Sequence, residues 1–171
     1  MSQLEMFSEP KAVSKAPVVV VEPVAPVIDP AVRNVCRAPY PGHPRGCPNW
    51  GREGCPPGAR PPHKLIDLDD EVLLVAVSFN PAGHAAEMRR RHPRWSDRQC
   101  RNLLYWQGRV KKQLREAAQA VLESRGSGFR SVDCPEACGV NMTETAAQAG
   151  IRLKWPPRQT VWKMVLVGRT P

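Results

Sequence analysis

The apolar residues of this chain fall into two kinds of pattern, and each predicts a different element. Val72–Ser78, inside DDEVLLVAVSFN, is an unbroken apolar run rich in β-branched side chains, and Thr160–Val167, inside TVWKMVLVG, is another. Runs of this length without a helical period predict buried strands, so the two are expected side by side at the centre of a small sheet. Phe129–Val132 predicts a third, shorter strand. Elsewhere the period changes. Cys100, Leu103, Leu104, Val110, Leu114, Ala117, Val121 and Leu122 recur at steps of three and four, the signature of one apolar helix face. Ser96-Asp97-Arg98-Gln99 reads as a capping box that opens this long core helix, and Gly126 and Gly128 end it. Gly108 within it predicts a close approach, with the cysteine-rich loop as the expected neighbour.

Two shorter helices complete the set. Asn80-Pro81 supplies a cap and a first helical residue for Pro81–Arg91, which must end before Pro93. Met142–Ala149 is the other, closed by Gly150. Residues 1–30 show neither period. They repeat Ala, Val and Pro, as in APVVVVEPVAPVIDP, and predict an extended, disordered tail open to a protein partner, with Val18–Val21 able to join a sheet edge. The fold class expected is therefore α+β: a tail over 1–30 and one small domain over 31–171, with a short sheet, one long core helix and two cysteine-bearing loops. No internal repeat is present.

Composition narrows this further. With 171 residues, 42% hydrophobic content and 19 prolines, about twice the usual share, the chain has room for one modest core and much loop. No leader pattern and no run of roughly 18 apolar residues is present, so a cytoplasmic protein without a membrane partner is expected. In that reducing setting six cysteines favour thiolate ligation over disulfides.

Charge points to a partner. The formal net charge is +9, with residues 1–30 contributing 2 − 4 = −2 and the remainder +11. Such a surplus favours a polyanion, nucleic acid first, against the plainer alternative of a basic protein with no such partner. Arg90, Arg91, Arg94, Arg98, Lys111 and Lys112 surround Trp95 in sequence, and cations interleaved with aromatic rings suit single strands. A solvated helix face, with Trp106 packed inward, explains the same pattern.

The candidate chemistry lies in VCRAPYPGHPRGCPNWGREGCPP, where Cys36, Cys47 and Cys55 are set among prolines and glycines that exclude a helix or a central strand. Cys47 and Cys55 each precede proline, as does Cys134 in the later loop DCPEACGVN, and that shared Cys-Pro pattern makes Cys134 the expected fourth ligand. Cys100 reads as a small buried side chain, and Cys138 as another or as an additional ligand or thiolate-supporting group beside the four. His43 is a further ligand candidate or a group that orients a thiolate, whereas His63, His84 and His92 have less claim. Structural zinc favours ligands in close pairs, while the gaps here are ten and seven residues, a spread that suits an iron–sulfur cube with one cysteine at each corner. Zinc, and no metal at all, remain the alternatives.

Four blocks carry a resemblance: the C-x10-C-x7-C run with its YPGHPRGCPNWG centre, RHPRWSDRQCRNLLYWQG, CPEACGVN and KWPPRQTVWKMVLVG. Over residues 33–169 the chain resembles a family of small, uncharacterised predicted metal-binding proteins of microbial and viral genomes. The resemblance implies ligation of a metal, a 4Fe-4S iron–sulfur cluster first, by Cys36, Cys47, Cys55 and Cys134, and implies no reaction. Phosphate loops, nucleophile elbows, H-E-x-x-H and C-x3-C-x2-C are missing from the sequence, so whether the chain is an enzyme stays open. Asp67, Asp69, Asp70 and Glu71 form an acidic approach to the first strand, suited to solubility and less to a cation. Three functions follow as expectations: a cluster-binding accessory protein tied to nucleic-acid metabolism or modification, a zinc-stabilised nucleic-acid-binding module, or a cluster-dependent enzyme.

Overall fold

A computed structural model of the chain describes residues 17–40, 42–155, 157 and 159–171. Its frame is an antiparallel sheet of four strands, β1 (Val19–Pro23), β2 (Val72–Phe79), β3 (Phe129–Val132) and β4 (Val161–Arg169), in the order β1-β2-β4-β3. The two apolar runs pair over their full length, from Val72 opposite Gly168 to Phe79 opposite Val161. All eight residues of β2 are buried, which explains the missing alternation: both faces of this strand are covered. Val72, Leu74 and Ala76 face one core with Leu166, Val140, Met142, Ala146 and Ile151. Leu73, Val75, Val77 and Phe79 face the other, against Trp106, Val110, Leu114, Ala118 and Val121.

The helices are α1 (Pro81–Arg91), α2 (Asp97–Cys100), α3 (Gln107–Arg125), α4 (Pro135–Cys138) and α5 (Met142–Gln148), with short 3-10 helices at Pro30–Arg37, Pro62–Lys64 and Leu103–Tyr105. Asn80 caps α1 through its side chain, accepting from the Gly83 N–H at 2.8 Å. The acidic approach to β2 serves the fold, since Asp70 pairs with Arg169 at 2.6 Å and Glu71 with Arg125 at 2.7 Å. Among the described residues, no helix is long and apolar enough to cross a membrane.

Two expectations are corrected. The tail does not extend to residue 30: residues 1–16 lie outside the described residues, but Val19–Pro23 forms β1, the edge strand that Val18–Val21 allowed for. Its prolines sit at the flanks, where no ladder donor is required, and without it the buried strand β2 would present an open row of peptide groups. Past β1 the chain stays docked. Val24 is buried and donates to the Val72 carbonyl at 2.9 Å, Ala25 exchanges two bonds with the Gln148 amide at 2.9 and 2.8 Å, and the Val27 N–H reaches Thr145 Oγ1 at 3.0 Å.

The long helix is also interrupted. The capping box at Ser96 and Gln99 forms, yet it opens only the four residues of α2. Asn102 then accepts from the Leu104 N–H at 3.0 Å, capping a 3-10 turn in place of the next helical turn. That turn rolls Trp106 inward, where it stacks on Phe79 at 4.1 Å and 15°, and α3 starts afresh at Gln107. Leu103 and Leu104, expected on the buried stripe, are 54% and 83% exposed. Gly108 touches no cysteine loop, since a Cβ there would meet nothing within 4 Å.

These placements set an expected contrast. Leu74→Ala, which empties a site with no exposure, is expected to cost about 3 kcal/mol in urea unfolding, whereas Leu104→Ala should stay within about 0.5 kcal/mol.

Candidate metal centre

Cys36 is not on irregular backbone, as the proline content led us to expect. It lies one residue from the end of the 3-10 helix Pro30–Arg37, which tolerates Pro30 because a first-turn residue needs no N–H partner. Asp29 caps that helix by accepting from Ala31 N–H at 2.9 Å. The same short segment is bonded to the second cysteine loop: Asp29 N–H donates to Gly139 O at 2.8 Å, Asn141 N–H to Val27 O at 2.8 Å, and Ile28 bridges Val140. Gly139 is required here. Its φ is +97° and a Cβ would come within 3.3 Å of Pro30 Cα. The Cys36 helix therefore packs directly on α4, which follows Cys134.

Within the first loop, successive turns hold the other two thiols. The Cys47 N–H donates to the Cys36 carbonyl at 2.7 Å, and the Cys55 N–H to the Arg52 carbonyl at 3.0 Å. Gly46 makes the first of these contacts feasible, with φ +81° and only 2.5 Å between the place of a Cβ and the Cys36 oxygen. Arg33 reaches across to the exit of the loop, donating to Pro57 O at 2.7 Å and Ala59 O at 3.0 Å. Both ends of the segment are thus fastened to the helix that carries Cys36.

The electrostatics tie the two loops together. Burial pushes the Cys36 thiol above its ordinary value, and the charges of Cys47, Cys55 and Glu136 push it further. Cys134 is raised by burial first, then by Glu136, Cys55 and Asp133, with Lys163 opposing. Cys138 is raised by burial and Cys134, with Arg33 opposing. Glu136 belongs to the same neighbourhood: although part of the residue is exposed, surrounding atoms desolvate its carboxyl and raise it, against its own backbone N–H and Lys163. Three thiols and a carboxylate are thus held toward their neutral forms, chiefly by burial, and a cation among them would favour the ionised state.

Of the residues expected at the centre, Cys36 feels the charges of Cys47 and Cys55, and Cys134 feels that of Cys55. All six cysteines are free thiols; Cys36, Cys47 and Cys55 are half-buried and Cys134 is exposed. Among the described residues, no three His, Cys, Asp or Glu side chains are gathered closely enough to grip a single metal ion. Cys138 and Cys100 are buried, Cys138 within the core that holds Val140, in keeping with small apolar side chains. The His43 ring lies against Tyr40 at 4.6 Å, while its backbone shapes the turn by exchanging bonds with Tyr40. Glu136 and Lys163 were missed. Glu136 carried a signal in its position two residues after Cys134, but Lys163 arrives from β4 and no sequence neighbour announces it.

The basic residues divide. Arg90 and Arg91 both pair with Glu87, and Lys112 lies 3.7 Å from Glu116, so these three cations are already matched on the surface. Arg94, Arg98 and Lys111 make no ion pair with a described residue. Trp95 is half-buried between His92 and Tyr105.

Comparison with protein-family models, with curated proteins and with solved structures finds no match for this chain.

Gly46→Ala is expected to break the Cys36–Cys47 backbone contact, seen as faster alkylation of both thiols while buried Cys100 stays slow; unchanged rates would argue against this loop geometry. The raised thiols also set a pH dependence. The unfolded chain releases these protons first, so the reduced, metal-free protein should hold its stability below pH 9.0 and lose it as pH climbs through the higher folded-state values, read from urea midpoints at stepped pH.

Proposed function

We propose that Cys36, Cys47, Cys55 and Cys134 ligate an iron–sulfur cluster of the four-iron type, and that the protein is a cluster-binding accessory factor associated with nucleic-acid metabolism or modification in the cytoplasm. The observation that carries this reading is the convergence of two cysteine loops, 79 residues apart in sequence between Cys55 and Cys134, into one electrostatic neighbourhood. With their pKa values raised, these thiols stay protonated near neutral pH, and a metal that displaces the protons would supply the compensating charge.

The spread of the thiols favours a cluster over zinc. A tetrahedral zinc site draws thiolate sulfurs to about 3.8 Å of one another, as four bonds of about 2.3 Å require. A cube separates its cysteines more widely, one to each corner, which suits single thiols set ten and seven residues apart in sequence. When bound, such a cluster supplies one-electron transfer or a cross-link between loops. The chain's own part is to place the thiols, through the Cys36–Cys47 and Asp29–Gly139 contacts, and to offset their charge with Lys163 beside Cys134 and Arg33 beside Cys138. The role in nucleic-acid metabolism is supported by the +11 surplus outside residues 1–30 and by Arg94, Arg98 and Lys111, which make no ion pair with a described residue.

Anaerobic purification should give a brown protein with about four iron and four sulfide per chain. Cys36→Ala, Cys47→Ala, Cys55→Ala and Cys134→Ala should each lower the iron content sharply, while Cys100→Ala leaves it unchanged. A colourless protein with one zinc would overturn the cluster, and full iron retention in Cys134→Ala would remove the second loop from the site.

A further inference from the structure

We infer that His92, Trp95 and Tyr105 form a stacking ladder for the bases of a single-stranded nucleic acid, with Arg94 and Arg98 meeting its phosphates. The inference rests on the nucleic-acid part of the proposal above and is independent of the metal.

The ladder exists because two helices stop where they do. Helix α1 ends at His92, before Pro93, and its C-cap N–H donates to Met88 O at 2.8 Å. The Trp95 N–H donates to the His92 carbonyl at 2.9 Å, folding the chain back so that the two rings stack at 4.0 Å and 12°. The 3-10 turn capped by Asn102 brings the Tyr105 ring to stack with Trp95 as well, at 5.2 Å and 23°. An uninterrupted helix from Asp97 would not make that turn.

Trp95, which stacks with both rings, is half-buried, while His92 and Tyr105 are exposed, Tyr105 by 53%. Beside the His92 end lies an open cleft of about 310 Å³, bounded by Arg91, Pro93 and Arg94. A stack with an exposed end is extended by any planar ring, and nucleobases use aromatic side chains in this way regardless of sequence.

Charge selects among planar partners. Arg89 and Arg101 share Asp97, and Arg90 and Arg91 share Glu87, but Arg94, which lines the cleft with His92 and Trp95, and Arg98, in α2 three residues after Trp95, make no ion pair with a described residue. A partner that brings anions at a regular spacing along with flat rings fits both features. Duplex does not, because its bases are already stacked on one another and offer no free face. Leu103 and Leu104, exposed next to Tyr105, would equally suit a protein, yet apolar contact alone leaves the two arginines unexplained.

The test uses the full-length protein as purified and fluorescein-labelled oligothymidylate and oligouridylate of about twelve nucleotides, against a duplex of equal length. Single strands are expected to bind at least about tenfold more tightly than duplex. Tyr105→Ala and His92→Ala should each weaken binding about tenfold with the salt slope unchanged, Tyr105→Phe should restore it, and Arg94→Ala or Arg98→Ala should weaken it while lowering the slope by about one. Tyr105→Leu, which keeps the apolar volume, serves where the alanine variant melts early. Equal binding of single strands and duplex, untouched by the ring variants, overturns the ladder and leaves a general polyanion surface. Absence of binding to either at low salt overturns both and leaves the Leu103–Leu104 ledge to a protein partner.

Discussion

The arrangement depends on one strand being apolar on both faces. Because β2 buries residues of both parities, it must have a layer on each side: α3 with Trp106 on one, and the segment from Val140 to Ile151 on the other. That second layer is short of regular structure. It consists of α5, the turns around it and the incoming chain after β1, so the second cysteine loop is part of the covering and not an attachment to it. Cys138 lies within this core, four residues from Cys134, so the candidate centre and the core share a single turn of chain.

The same constraint explains why residues 17–30 read as a tail and behave as a strap. A run of valines between prolines has no period of its own, and its structure comes from a distant partner: β1 exists because β2 offers an edge. After β1, Val24 is the strap's one buried residue, Ile28 is left exposed, and the rest of the hold on the domain is a series of backbone bonds to Gln148, Thr145, Gly139 and Asn141. Hydrogen bonds of that kind leave little trace in a sequence, since any residue except proline can make them.

The legible parts were those set by local chemistry. Asn80-Pro81, the Ser96–Gln99 capping box, and the apolar runs of β2 and β4 each specify an element through neighbouring residues, and the class of fold and the sheet's central pair follow from them. What a local reading overran was the break at Asn102, because Leu103 and Leu104 keep the helical spacing while Asn102 and Trp106 have better partners elsewhere. The candidate site divides in the same way. Cys-Pro repetition singled out Cys47, Cys55 and Cys134, whereas Lys163 joins them only through the pairing of β4 with the sheet, which no spacing encodes.

One consequence concerns the order in which the molecule can assemble. Strand β4 comes last of the four along the chain, yet it lies between β2 and β3 and pairs with both. Until the ribosome has passed residue 169, β2 has lost its main partner, neither core can close, and the strap has no finished surface to cross. The cysteines nearest the N-terminus therefore emerge long before their surroundings exist, and for that interval they are open thiols on a growing chain. Whatever they hold in the finished protein is acquired after translation has gone by, or has to be carried through it.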